Sequence, residues 1–279
     1  MPTSKENIAY DIKECLLSVK GVCLALSGKQ ILRDVNFEVR DIVRPGMTQG
    51  QVVGLLGPSG MGKTQLFRIL AGLNMPDEGE VLVGSPCVPV ASGMVGVVAQ
   101  NYPLLLHRSI LGNLVVAGKR AGLSAADADK ESKRLLESFG LSEHLDKYPV
   151  QLSGGQRQRA AIAQQFICSN QIMLMDEPFS GLDPTALGKM CVFIKNIAQT
   201  DEQKTFVIVT HDISSAIEVC DTLLLLGRDK GPDGQYLPGA KIQQTVDLIA
   251  RGLAWHKEIS RTPEFYATVT EVKDLFDHL

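Results

Sequence analysis

The chain has 279 residues, of which 44% are hydrophobic and 21% charged, with a formal net charge of -3. That length and apolar content support a sizeable core, as one large domain or two small ones. The slightly acidic balance provides no general basic surface, so no nucleic-acid partner is expected. No stretch approaches the ~18 to 20 consecutive apolar residues of a spanning helix. The six cysteines (Cys15, Cys23, Cys87, Cys168, Cys191, Cys220) stand singly with no CxxC, and no secretory leader opens the chain, so they read as reduced thiols in a cytosolic protein.

Residues 14–39 alternate loosely between apolar and polar around a turn at Ser27-Gly28-Lys29, which predicts an antiparallel hairpin opening a small β layer. Asp41 to Gln51, with Pro45-Gly46, reads as a lengthened surface loop. Val52-Val53-Gly54-Leu55-Leu56 then reads as a buried strand. It runs directly into Gly57-Pro58-Ser59-Gly60-Met61-Gly62-Lys63-Thr64, which satisfies GxxxxGK[ST] in full. Small residues let consecutive backbone amides turn around an anion, and a helix beginning near Lys63 adds the positive end of its dipole. A nucleotide phosphate binds such a loop: Lys63 reaches the β- and γ-phosphates, and the Thr64 hydroxyl ligates Mg²⁺. An ordinary glycine-rich turn would need neither the strand before it nor the amphipathic helix after it (Leu66, Phe67, Ile69, Leu70).

Pro76-Asp77-Glu78-Gly79 marks a turn, and Glu80 to Gly84 and Gly93 to Ala99 read as short strands ending at Gln100. From about Pro103 to Gln151 the apolar spacing becomes helical. Ser124, three residues before Asp127, caps a helix running towards Phe139, inside an insert of roughly fifty residues. Strand patterns return at Ile172 to Met175, Phe206 to Thr210 and Thr222 to Leu226, alternating with helices as a mostly parallel sheet requires. No internal repeat is present.

Two further segments carry chemistry. Ile172-Met173-Leu174-Met175-Asp176-Glu177 is an apolar strand ending in adjacent carboxylates at the edge where open α/β sheets bind ligands. Asp176 suits Mg²⁺, and Glu177 can polarise the water that attacks the γ-phosphate. Alone, such a pair is as often a helix cap; beside a phosphate loop it is more. Leu152-Ser153-Gly154-Gly155-Gln156, followed by Arg157 to Ala163, is a small-residue turn opening a strong helix and forms a second anion site. Because the chain's own loop already holds a phosphate, this second site is inferred to serve a nucleotide bound to another copy.

From about residue 15 to 227 the sequence resembles the ATP-binding cassette (ABC) family. Gly57 to Thr64 is similar to the Walker A loop, Gln100 to the Q-loop, Leu152 to Gln156 to the family signature, and Ile172 to Glu177 to the Walker B strand. Ser180-Gly181-Leu182-Asp183 is similar to the D-loop and His211 to the switch histidine, all in the family's order. The resemblance implies an α/β fold: a P-loop NTPase core with a mostly parallel sheet, an N-terminal antiparallel β layer and a helical subdomain. One domain is expected over 1–279, with core and β layer at 14–102 and 151–227, helical subdomain at about 103–150 and a tail at 228–279. It also implies a head-to-tail dimer of two copies, or of this chain and a homologous cassette, enclosing two ATP–Mg²⁺. Gln100 would sense Mg²⁺ or the attacking water, and His211, at a strand end, would reach the γ-phosphate.

Two positions depart from the family. Leu26 stands where an aromatic residue usually stacks on adenine; it can pack on the base but lacks the ring contact worth ~0.5 to 1.5 kcal/mol, which leaves GTP acceptance open. Gln65 replaces a serine or threonine, keeping its backbone amide at the helix start and losing a hydroxyl contact to the α-phosphate. The tail, including Asp247 to Trp255, weakly resembles tails of nitrate- and sulfonate-type importer subunits; a helical tail packing Leu248, Ile249, Leu253 and Trp255 on the cassette is the plainer expectation. The function expected is an ATPase subunit, cytoplasmic and peripheral on the inner membrane face, driving a separate integral-membrane permease. The alternative is a soluble ABC ATPase remodelling ribosomes or DNA. A small-molecule kinase would leave Leu152 to Gln156 unexplained.

Overall fold

The computed structural model describes residues 10–43, 50–168, 171–201, 203–254 and 258–279. The first half contains β1 (Asp11–Leu26), β2 (Lys29–Val43), β3 (Gln51–Leu56), α1 (Lys63–Leu70), β4 (Glu78–Val83), β5 (Val88–Pro89), β6 (Gly96–Val98), α2 (Ile110–Arg120) and α3 (Ala125–Ser138). The second contains α4 (Gly154–Phe166), β7 (Ile172–Asp176), α5 (Pro184–Ala198), β8 (Thr205–Thr210), α6 (Ile213–Val219), β9 (Thr222–Gly227), β10 (Lys241–Asp247) and α7 (Pro263–Phe276).

Two sheets result. The main one has strand order β10-β9-β3-β8-β7-β6; its pairs are parallel except for β10 on β9. The other, ordered β2-β1-β4-β5, is antiparallel. Strands covered on both faces need apolar residues at every position, and β3 and β8 are buried throughout. Their alternation divides two cores. Val53, Leu55, Val207 and Val209 pack with the β layer and with Leu66, Phe67, Ile69 and Leu70 of α1. Val52, Leu56, Phe206 and Ile208 face the other helices. The amphipathic stripe of α1 therefore holds the antiparallel layer against the main sheet.

α2 and α3 lie between β6 and α4. Ser124 accepts the Asp127 amide as N-cap of α3, and Phe139 is its C-cap. Ser109 caps α2 in the same way. Buried Asn113 ties the approach to α2 together: it accepts from the Leu105 amide and donates to the carbonyls of Leu105, Arg108 and Ser109.

Some boundaries differ from the sequence pattern. β2 runs on to Val43, so Asp41 to Val43 are strand, while residues 44–49 with Pro45-Gly46 lie outside the described residues. The strand expected at Gly93 to Ala99 is confined to Gly96–Val98, because Gly93 adopts a φ of 93° and belongs to a turn. The tail is not simply helical. It enters the main sheet as β10, and Asp247 to Ala254 turn rather than spiral, with Asp247 accepting the amides of Ile249 and Ala250. Leu248 and Leu253 are buried as expected; Trp255 lies outside the described residues.

Candidate functional site

β3 delivers the chain into the loop Gly57 to Gly62 at the sheet's carboxyl edge. Gly57 is pressed against β9: a Cβ there would lie 2.5 Å from the Leu226 carbonyl oxygen. Gly62 is the N-cap of α1 at φ 87°, with no side chain capping the helix. The first amides of α1 are thereby left for an external acceptor. Lys63 is buried, and its Nζ donates to the Gly57 carbonyl at 2.6 Å and the Pro58 carbonyl at 3.0 Å. Burial lowers its pKa, while Glu177 and Asp176 oppose the shift. Thr64 is exposed, as are Ser59 and Gly60, and Met61 packs into the core beneath. The Gln65 side chain turns aside to accept from Asn74 at 3.4 Å.

The acids follow on β7. Asp176 ends the strand, its carboxyl raised above the ordinary range by burial first and by Glu177 next, with Lys63 opposing. Glu177 takes φ 49°, in the left-handed region that non-glycine residues rarely occupy. Its amide donates to Val209 at 2.8 Å. Its carboxylate accepts from Thr210 Oγ1 at 3.0 Å and lies 2.9 Å from His211 Nδ1. Lys63, Asp176, Glu177 and His211 thus converge on one edge. Gln100 lies just past β6, whose Val98 pairs with Met175, so it shares that edge with its side chain exposed. Leu26 ends β1 beside the hairpin tip, 41% exposed.

The other candidate residues gather elsewhere. Ser153 caps α4, accepting the Gln156 amide at 3.3 Å, while its own amide donates to Gln156 Oε1 at 2.9 Å. Gln156 Nε2 is 2.7 Å from His144 Nε2. Gly154 and Gly155 head the helix where an added Cβ would meet nothing within 4 Å. A cavity of about 640 Å³ opens beside them, lined also by Gly181, Asp183 and Phe193 and by none of Lys63, Asp176, Glu177 or His211. Asp183 accepts the Thr185 and Ala186 amides, so its carboxylate caps α5.

Two residues were not singled out from the sequence. Thr210 holds Glu177 as just described. Gln158, fully buried on α4, donates from Nε2 to the Pro178 carbonyl at 2.7 Å, while its Oε1 has no partner among the described residues. Its sequence neighbours are Arg157 and Arg159, so nothing in the local pattern marked Gln158 as the buried member of the run.

A glycine-bearing loop between a buried strand and a helix, a buried lysine on it, and paired acids at the end of a parallel strand of the same sheet define a P-loop nucleotide hydrolase. The family model for ABC transporters matches residues 41–180. The L-cystine import ATP-binding protein TcyC of Bacillus subtilis (strain 168) is 33% identical over 255 residues, 85% of this chain and 98% of that one. The L-cystine transport system ATP-binding protein TcyN of Escherichia coli (strain K12) is 33% identical over 228 residues, 77% of this chain and 87% of that one. The sulfate/thiosulfate import ATP-binding protein CysA of Acinetobacter baylyi is 37% identical over 187 residues, 64% and 53% of the respective chains. Among solved structures, cbiO1 from Clostridium perfringens, part of the ABC transporter complex cbiONQ, superposes with a TM-score of 0.71 at 22% identity, covering 95% of this chain and 100% of that one. The chain belongs to the ABC transporter family and is an ATP-binding subunit of that kind, an ATPase whose hydrolysis powers transport.

Proposed function

We propose that this subunit drives an importer. Two copies, or this chain and a homologous cassette, close head to tail around two ATP molecules, each held between one subunit's loop at Gly57 to Thr64 and the other's Ser153 to Gln156. The observation that carries the reading is the glycine-led start of α4: Gly154 and Gly155 border a cavity that none of this chain's own catalytic-edge residues enters. The loop fits a triphosphate by the same physical test, since no side chain caps α1 and the exposed Gly60, at φ 82°, has open space where a Cβ would stand.

Within each composite site, Lys63 exchanges the carbonyls of Gly57 and Pro58 for phosphate oxygens. Thr64 and Asp176 would hold Mg²⁺, with Gln100 beside it, and the ion would supply neutralisation of phosphate charge. Glu177, oriented by Thr210 and His211, draws the proton of the attacking water, and His211 stabilises charge at the γ-phosphate. Asp183 acts in the interface by fixing the start of α5.

The partner is an integral-membrane permease, with the subunit peripheral on the inner face. No described helix is long and apolar enough to cross a membrane. Leu106 is 65% and Val150 72% exposed on the helical insert, and the Ile110 amide bonds to the Lys147 carbonyl, which brings their two segments side by side. Such a surface suits a protein partner. The relatives named for import of L-cystine and of sulfate or thiosulfate support the direction of transport. The cargo is selected by the permease, and a nitrate or sulfonate substrate rests only on the weak likeness of the tail. Light scattering of Glu177→Gln with ATP and Mg²⁺ tests the closure: a dimer is expected with nucleotide and a monomer without. A nucleotide-saturated protein that stays monomeric would overturn it.

A further inference from the structure

The fold pairs two cysteines that stand far apart in the chain. Cys15 lies in β1 where the pairing with β2 is irregular on both sides of it. Cys87 lies in the turn between β4 and β5. The Cys87 thiol donates to the Cys15 carbonyl at 3.2 Å, and the Cys15 thiol to the Leu17 carbonyl at 3.4 Å. Both are half-buried, so a small oxidant can reach them, whereas Cys191 and Cys220 are sealed in the core. Cys23 is engaged separately, accepting the Asp34 amide.

We propose that Cys15 and Cys87 form a redox-modification site in which a peroxide installs an intrachain disulfide. The Cys87 thiolate attacks a peroxide oxygen, the O–O bond breaks, and protonation of the leaving hydroxide gives water and a sulfenic acid. The Cys15 thiol then attacks that sulfur; the S–S bond forms, the S–O bond breaks, and a second water leaves. Two thiols lose two electrons and two protons, and hydrogen peroxide is reduced to two waters. Cys15 acts second because burial, and then Cys87 beside it, push its thiol up.

The bridge would cross strands that already pair, Leu17 lying opposite Val83. It encloses the segment from Leu16 to Pro86, which contains the phosphate loop and α1. Closing so long a segment restricts the unfolded chain, while no residue of the catalytic edge is altered. The oxidised protein is therefore a more heat-resistant cassette with unchanged hydrolysis.

The test treats the full chain with hydrogen peroxide and maps peptides without reduction. The expected result is a loss of about 2 Da, a Cys15–Cys87 peptide reversed by dithiothreitol, and a melting temperature raised by about 5 °C. Cys87→Ser should form no bridge, show no rise, and keep its ATPase rate. As a probe independent of oxidation, one equivalent of phenylarsine oxide, which chelates paired thiols, should protect both cysteines from alkylation. A bridge to any other cysteine, or free alkylation of both after either reagent, would overturn the pairing. A bridge with no rise in melting temperature would overturn the staple.

Discussion

The phosphate loop and the opening of α4 both offer backbone amides to an anion, and they are built in opposite ways. At Gly62 no side chain caps the helix, and the neighbouring Lys63 is buried against carbonyls of its own loop. At Ser153 the cap is complete, with serine and Gln156 serving each other's amides, yet the glycines after it face open space beside a large cavity. The first place has a charge already stored within the chain and acids on β7, separated from β3 only by β8. The second has amide donors on its own helix, with the side chains of Arg159, Asp183 and Lys189 spread around the cavity beside them. A loop that carries its own buried lysine can hold a phosphate alone; a capped helix end without one in its turn is half of a contact.

That contrast can be broken by mutation. Lys63→Ala should remove the stored charge and lower kcat/KM for ATP by about 10³-fold, the scale of losing a principal electrostatic stabiliser; steady-state ATPase assays would show it, and a rate within a few-fold of wild type would dissociate Lys63 from the phosphates. Ser153→Arg should cost about 10²-fold in kcat while nucleotide affinity of the monomer, measured by equilibrium titration, stays unchanged. Equal loss in both would place α4 at the chain's own nucleotide. Gln158→Leu should sharpen the comparison, because Gln158 ties α4 to the carbonyl that follows Glu177. A loss of about 10-fold in kcat with KM retained is expected from slight misplacement of the carboxylate; a change confined to KM would argue for binding instead. Leu26→Tyr should have the smallest effect, tightening ATP by about 2- to 10-fold through a ring contact on the base. Tripolyphosphate, which has no base, should bind both forms equally.

The nucleotide edge was legible because its chemistry is local. Gly57 to Thr64 and Ile172 to Glu177 each bring strand, turn and functional group within a few residues, and β3, β7 and β8 fall where continuous apolar runs place them. Contacts made by folding were not legible. Thr210 could not be joined to Glu177, nor Cys87 to Cys15, without knowing that β7 neighbours β8 and that the turn after β4 returns to β1. Lys241 to Asp247 was missed for another reason: only Val246 is fully buried in it, so its strand character comes from pairing with β9 and not from its own pattern. The left-handed Glu177 likewise carries no signal in residue type.

That edge strand has a consequence for solubility. β9 is a run of four leucines between Thr222 and Gly227, and on its outer side only β10 satisfies its backbone. An open edge of that composition is a template on which other chains can pair. β10 covers it with a strand whose Gln244 and Thr245 are exposed to water. A chain ended at Gly227 would retain every nucleotide motif and leave the β9 edge unpaired, so light scattering of that truncation should show self-association that the full chain does not.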